Sequence, residues 1–200
     1  MNDLLLGVVV LGSGFRGRAD DRPDIWGERR LIRAVELINS CSSPARCRLI
    51  VTGQSVHPHT HSVFSAQAER EAVRLGIPSH EILRASDRCT SRVDTRDDVV
   101  QALRLAAANG IRHLMVITES PHWFFRVRYF FESEAPPGSN LLRTEFVPST
   151  PAPWWYWCKE FIGGAVLRFP IIGGYESQLY RVVNRGWRKV AHRFGYVVRL

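Results

Sequence analysis

The chain has very little lysine. Of its 200 residues only Lys159 and Lys189 are lysines, so arginine supplies nearly all of the basic charge. It also lacks any C-x-x-C pair: Cys41, Cys47, Cys89 and Cys158 stand apart. That excludes the paired-thiol signatures of zinc ribbons and dithiol redox enzymes and leaves reduced, packed thiols as the expectation. No apolar run reaches the ~18–20 residues that a membrane-crossing helix requires. The run Leu4–Leu11 follows Asp3 rather than a basic segment, and no small-residue cleavage site comes after it. The expectation is therefore a chain without a secretion signal that works in the cytoplasm. Internal repeats and low-complexity tracts are missing as well. With 45% hydrophobic and 23% charged residues, the composition excludes a wholly disordered chain. The length suits one generous domain, or one domain with an appendage.

The charge that is present is unevenly spread. Residues 151–200 hold eight Arg/Lys against Glu160 and Glu176, which accounts for most of the formal net charge of +8. Three apolar, β-branched runs, Leu4–Leu11, Arg48–Thr52 and Leu114–Thr118, predict strands buried on both faces. Helical periods lie between them. Glu28–Ser40 puts Leu31, Ala34, Val35 and Ile38 on one face, and Ser65–Leu75 forms a second helix closed by Gly76 and Pro78. Asp94–Asn109 puts Val99, Leu103, Ala106 and Ala107 on one face and ends at Gly110. Alternating strands and helices imply right-handed crossovers and a mostly parallel sheet, a three-layer α/β sandwich. Leu141–Val147 predicts a further strand. Pro148, Pro151 and Pro153 then separate a domain over 1–150 from an extension over 151–200. The extension reads as an aromatic helix from Trp154 to about Phe169 and a basic amphipathic helix over Glu176–Phe194.

In an open parallel sheet, ligands collect beyond the carboxyl ends of the strands. Gly12–Gly17, Thr52–Ser55 and Thr118–His122 all fall there. Gly12-Ser13-Gly14-Phe15-Arg16-Gly17 matches G-x-G-x-x-G, but no helix opens inside the turn and no ribose-binding acid closes the second strand, so NAD(P) binding is excluded. What remains is a backbone that two glycines allow close to a ligand. Ser120 and Pro121 suit the start of a helix, which puts His122 in its first turn and Arg126 one turn later on the same face. Asp94-Thr95-Arg96-Asp97-Asp98 opens another helix. Its acids read either as caps or as a surplus that pairs with Arg30 or Arg126 or holds a metal. His57-Pro58-His59-Thr60-His61 lacks tetrahedral ligand spacing and reads as a polar surface loop. On this basis His122 and Asp97 are the catalytic candidates. Gly12, Ser13, Gly14, Arg30, Thr52, Gly53, Thr95, Thr118 and Arg126 are the ligand-binding candidates, and no metal is assigned.

These same residues carry a family resemblance. Val9-Val10-Leu11-Gly12-Ser13-Gly14, Arg30-Leu31 with Ala34 and Leu37, Ile50-Val51-Thr52-Gly53 and Leu75-Gly76-Ile77-Pro78 resemble the SanA/YdcF-like family of domains of unknown function, which includes the envelope biogenesis factor ElyC. Thr95-Arg96-Asp97-Asp98 resembles the family's Thr-x-Glu-Asn element, and Val116-Ile117-Thr118 leading to His122 and Arg126 resembles its last signature. The resemblance runs from about Leu4 to Glu132. Gln54 stands where the family usually has a second glycine, Ser65-Ala66-Gln67 where it has Ser-Glu-Ala, and Asp98 where it has Asn. The spacing from His122 to Arg126 is four, where the family's is three. The resemblance implies a Rossmann-like fold with a pocket formed by the matched loops, S-adenosylmethionine binding, and a link to cell-envelope processes.

The leading expectation is an α/β domain that binds an anionic small molecule: a nucleotide, an S-adenosyl compound or a phosphorylated envelope precursor. As an enzyme it would be a hydrolase or transferase, with Arg30 and Arg126 neutralising the anion and His122 as acid–base or oxyanion donor. The alternative is a non-catalytic peripheral membrane factor that contacts anionic lipid at the inner face of the membrane through residues 154–199. Nucleic-acid binding rests on charge alone, without a recognised motif, and is not expected.

Overall fold

The computed structural model describes residues 5–17, 19–41, 47–57, 59–85, 95–135 and 143–168. Asp94, Cys89, Leu141 and the helix expected over Glu176–Phe194 lie outside the described residues. The apolar runs become strands β1 (Leu6–Val10), β2 (Cys47–Val51), β4 (His113–Thr118) and β5 (Arg143–Pro148). With β3 (Ile82–Arg84), the sheet order is β3-β2-β1-β4-β5, and every neighbouring pair is parallel. The sequence reading passed over β3. Three residues are too few to show a period of two, and parallel pairing with Leu49–Val51 is what makes them a strand.

Helices α1 (Ile25–Ser40) and α2 (Phe64–Arg74) cover one face. There Val8, Val10, Leu49, Val51 and Ile117 meet Leu31, Ala34, Val35 and Ile38 of α1 and Phe64, Ala68 and Ala72 of α2. On the other face, Val9, Ile50, Leu114 and Val116 meet Val99, Ala102, Leu103 and Ala106 of α3 (Thr95–Ala108). Successive strand residues thus enter opposite cores, which is why the runs are continuously apolar rather than alternating. Full burial of one such aliphatic side chain contributes about 1.5–3 kcal/mol. Ala107, expected on the buried face of α3, is exposed, and Ala102 takes its place. The helix turns ~100° per residue, and a position eight beyond Val99 has drifted off the stripe.

Helix α1 begins three residues earlier than its apolar pattern. Asp24 caps it, accepting from the Gly27 N–H at 2.9 Å. After β4 the chain runs through α4 (Ser120–His122), a π-helical turn (Trp123–Val127) and α5 (Arg128–Glu134). The backbone at both junctions, Trp123 and Arg128, is right-handed helical, so the three form one rod. Trp123, Val127, Phe130 and Phe131 of that rod complete the second core. Helix α6 (Trp154–Arg168) packs against the π turn. Gly164 makes the approach close: a Cβ there would stand 2.6 Å from the Phe125 carbonyl oxygen. The fold is a Rossmann-like α/β sandwich, and no helix among the described residues is long and apolar enough to cross a membrane.

Candidate functional site

The strand order places the reversal of chain direction between β1 and β4. From β1 the chain winds outward through β2 and β3 on one side, then returns to β4 and β5 on the other. In open α/β sheets the loops that leave the carboxyl ends of the strands diverge at such a point, and ligands bind in the crevice between them. The three expected turns lie at the carboxyl ends of their strands; a hydrogen bond ties the turns after β1 and β2, and Arg30 bridges the turns after β1 and β4.

The glycine turn after β1 is held from three directions. The Gly12 N–H donates to Asp98 Oδ2 at 3.2 Å, and the Gly14 N–H donates to Asp24 Oδ2 at 3.1 Å. The Ser13 hydroxyl donates to Asp24 Oδ1 at 2.8 Å, while Ser55 Oγ donates to the Ser13 carbonyl at 3.4 Å. Gly12 and Gly53 touch backbone to backbone. A Cβ on Gly12 would lie 2.6 Å from Gly53 Cα, and Gly53 itself holds φ +114°, a left-handed backbone that favours glycine. The two glycines thus pack strand ends against each other. Of the acids opening α3, Asp98 is the one that reaches the turn, and its neighbour Asp97 is half-buried.

Arg30 rises from α1 into the switch point and is buried. Its Nη1 donates to the carbonyls of Leu11 at 3.0 Å and Gly12 at 3.1 Å, two oxygens left over where β1 ends. Its Nε donates to Glu119 Oε1 at 2.9 Å, and its Nη2 to Glu119 Oε2. Glu119 also accepts from Ser149 Oγ at 3.1 Å and from the Tyr156 hydroxyl at 3.3 Å. Burial opposes the guanidinium charge, but the Glu119 carboxylate outweighs it and raises the Arg30 pKa. Burial likewise opposes the Glu119 charge, and Arg30 prevails, holding that carboxyl below its ordinary value. Arg126 forms a matching pair. Its Nε and Nη2 donate to Glu160 of α6 at 2.5 and 2.6 Å, both residues are buried, and the Glu160 pKa lies below the usual range despite its burial.

His122 sits between these pairs, 7% exposed. Its Nδ1 lies 3.0 Å from Thr118 Oγ1 and its Nε2 lies 3.3 Å from Thr95 Oγ1. A neutral imidazole donates through one nitrogen and accepts through the other, and a threonine hydroxyl can take either role. Burial is the main reason that the His122 pKa falls to about 3, with the charges of Arg126 and Arg30 adding to the fall and those of Glu160 and Glu119 opposing it. His122 is therefore neutral across the physiological range. Thr52, at the end of β2, is fully buried, and its hydroxyl has no hydrogen-bond partner among the described residues.

Tyr156 stacks on Trp26 of α1 with ring centroids 5.4 Å apart, and Lys159 lies 5.0 Å over its ring. Burial and the two glutamates push the Tyr156 phenol well above its ordinary pKa, so it remains a donor. Glu119, Tyr156 and Glu160 were absent from the sequence-derived candidates. Glu160 did leave a trace: it is the only acid between Glu145 and Glu176, set in an otherwise aromatic and apolar helix. An acid in that setting is buried only with a partner. His57, expected in a polar surface loop, is instead buried, because it ties its loop to the turn after β1. Its Nδ1 accepts from the Thr60 N–H at 3.1 Å, and its Nε2 lies 2.7 Å from the Gly17 carbonyl, so the proton sits on Nε2. Among the described residues no group of three His, Cys, Asp or Glu could hold a metal ion. Compared with known proteins, the chain matches no family model, no curated sequence and no solved structure.

Proposed function

We propose that the chain is a ligand-binding α/β domain of the SanA/YdcF-like kind, taking a small molecule in the β1/β4 crevice and using His122 as a neutral hydrogen-bonding group. The carrying observation is the concentration of buried ionisable groups there. Arg30, Glu119, His122, Arg126 and Glu160 all lose water at the one place where an open α/β sheet receives ligands. A scaffold needs none of them, because apolar residues of equal volume are as stabilising or more so.

The charge arrangement narrows the ligand class. Asp98 and Asp24 already occupy the Gly12 and Gly14 amides, and Glu119 and Glu160 already occupy the two guanidiniums. A polyphosphate approaching this rim finds these amides and guanidiniums already taken by carboxylates. An S-adenosyl compound, which brings a sulfonium and an ammonium along with one carboxylate, matches it better than a nucleotide or a phosphorylated envelope precursor. The chemistry suited to a neutral imidazole is donation to an oxygen that gains negative charge during group transfer or hydrolysis. Proton abstraction would call for a more basic group.

The test is thermal unfolding with S-adenosylmethionine, adenine nucleotides and a polyprenyl phosphate in separate arms. A ligand of the folded state, present at about a hundred times its Kd, raises Tm by about 5–10 °C. The expected result is such a rise with the S-adenosyl compound, abolished in His122→Ala although that variant still folds. No rise in any arm overturns the reading. A rise that survives in His122→Ala removes the histidine from the site.

A further inference from the structure

A helix that packs on a sheet ordinarily turns its apolar stripe inward and its polar face to water. Helix α6 departs from this over its first two turns, with apolar side chains on its outer face as well as its inner one. Inward it sends Trp155 together with Tyr156 and Glu160, the last two being the partners of Glu119 and Arg126. Outward it sends Trp154, Trp157, Cys158 and Phe161, spaced as one helical stripe, with Trp154 71% and Phe161 59% exposed. Phe124 of the π turn, itself exposed, stacks beside Trp157 with centroids 6.5 Å apart and carries the stripe across to the neighbouring rod. A contiguous aromatic surface of this kind marks an interaction face.

We propose that this face docks the protein on an anionic lipid bilayer, lying in the interface without crossing it. Tryptophan and phenylalanine are the side chains that settle at the boundary of headgroups and acyl chains. The chain that continues from α6 adds Arg181, Arg185, Arg188, Lys189, Arg193 and Arg199 against Glu176 alone. Anionic headgroups complement that charge. A second copy of the chain would instead bring the same net charge of +8. Docking through the outer face of α6 also holds the β1/β4 crevice, which its inner face completes, close to the membrane surface.

The experiment uses the full chain and vesicles of phosphatidylglycerol with phosphatidylcholine, against vesicles of phosphatidylcholine alone. Co-sedimentation with the anionic vesicles is expected, weakening with salt. The double variant Trp157→Ser/Phe161→Ser should lose about tenfold or more in affinity while keeping the parent's melting profile. Should that variant fold poorly, fluorescence of the parent protein decides: lipids brominated near the headgroups must quench its tryptophans. Absence of vesicle binding at low salt overturns the proposal. So does binding that the double variant retains in full, because the basic segment would then suffice. Concentration-dependent self-association that the double variant abolishes, without vesicle binding, overturns it too and assigns the stripe to a second copy.

Discussion

Buried charge at single residues sets the most testable property of this molecule. An Arg–Glu pair removed from water gains little over a well-packed apolar pair, yet breaking one strands an uncompensated charge. Glu119 is fully buried and holds Arg30, Ser149 and Tyr156 at once. Glu119→Gln should therefore destabilise the fold by about 3–5 kcal/mol in urea unfolding. Arg30→Met combined with Glu119→Leu should recover much of that loss. Acid sensitivity follows from the same residues. The His122 pKa falls on folding from the ordinary 6.5 to about 3, so below pH 6.5 the unfolded chain binds a proton that the folded chain refuses. The neutral-pH stability contribution is thus lost as pH falls toward 3, by at most about 1.4 kcal/mol per pH unit for one group. Glu119 and Glu160, both held below their ordinary 4.5, add losses of the same sign as pH falls below that value. Urea midpoints measured between pH 7 and pH 5 should decline in the parent and stay nearly flat in His122→Gln.

Among the elements, α6 and the π turn fit each other closely. Gly164 has no room for a methyl group, since the obstructing atom is the Phe125 carbonyl oxygen rather than the end of a flexible side chain. Gly164→Ala should cost about 1–3 kcal/mol through forced separation of the two segments, which differential scanning calorimetry would detect as a lower Tm. Release of α6 would also withdraw Glu160 from Arg126. The element boundaries show what a sequence makes legible. Leu6–Val10 and Cys47–Val51 announce themselves by unbroken β-branched runs, and α1 by a stripe that returns every three or four residues. The orientation of α6 had no such signal. Tryptophan, tyrosine and phenylalanine occur on both its faces, so periodicity could not say which face was inward.

At the scale of the whole molecule, sheet order turns scattered residues into a site. Gly12, Thr52 and Thr118 were legible as strand ends, and the general behaviour of parallel sheets brought them to one rim. His122 was legible by its place after β4. The partners that decide how Arg30 and Arg126 behave were not, because Glu119 and Glu160 are 89 and 34 residues away from them in the chain. An arginine near a presumed ligand looks like an anion receptor until the carboxylate across from it is seen. Asp98 and Asp24 alter the glycine turn in the same way.

The turn over Trp123–Val127 has a hereditary consequence. Because it is wider than an α-helical turn by one residue, it takes up that residue locally and α5 keeps its angular setting. Loss of a single codon there would close the turn to α-helical geometry and leave Phe130 and Phe131 facing the second core, whereas loss of one within α5 would rotate everything after it by about 100°. A change of length by one residue is thus absorbed at this turn, where elsewhere along the rod it would have to be matched in the same step.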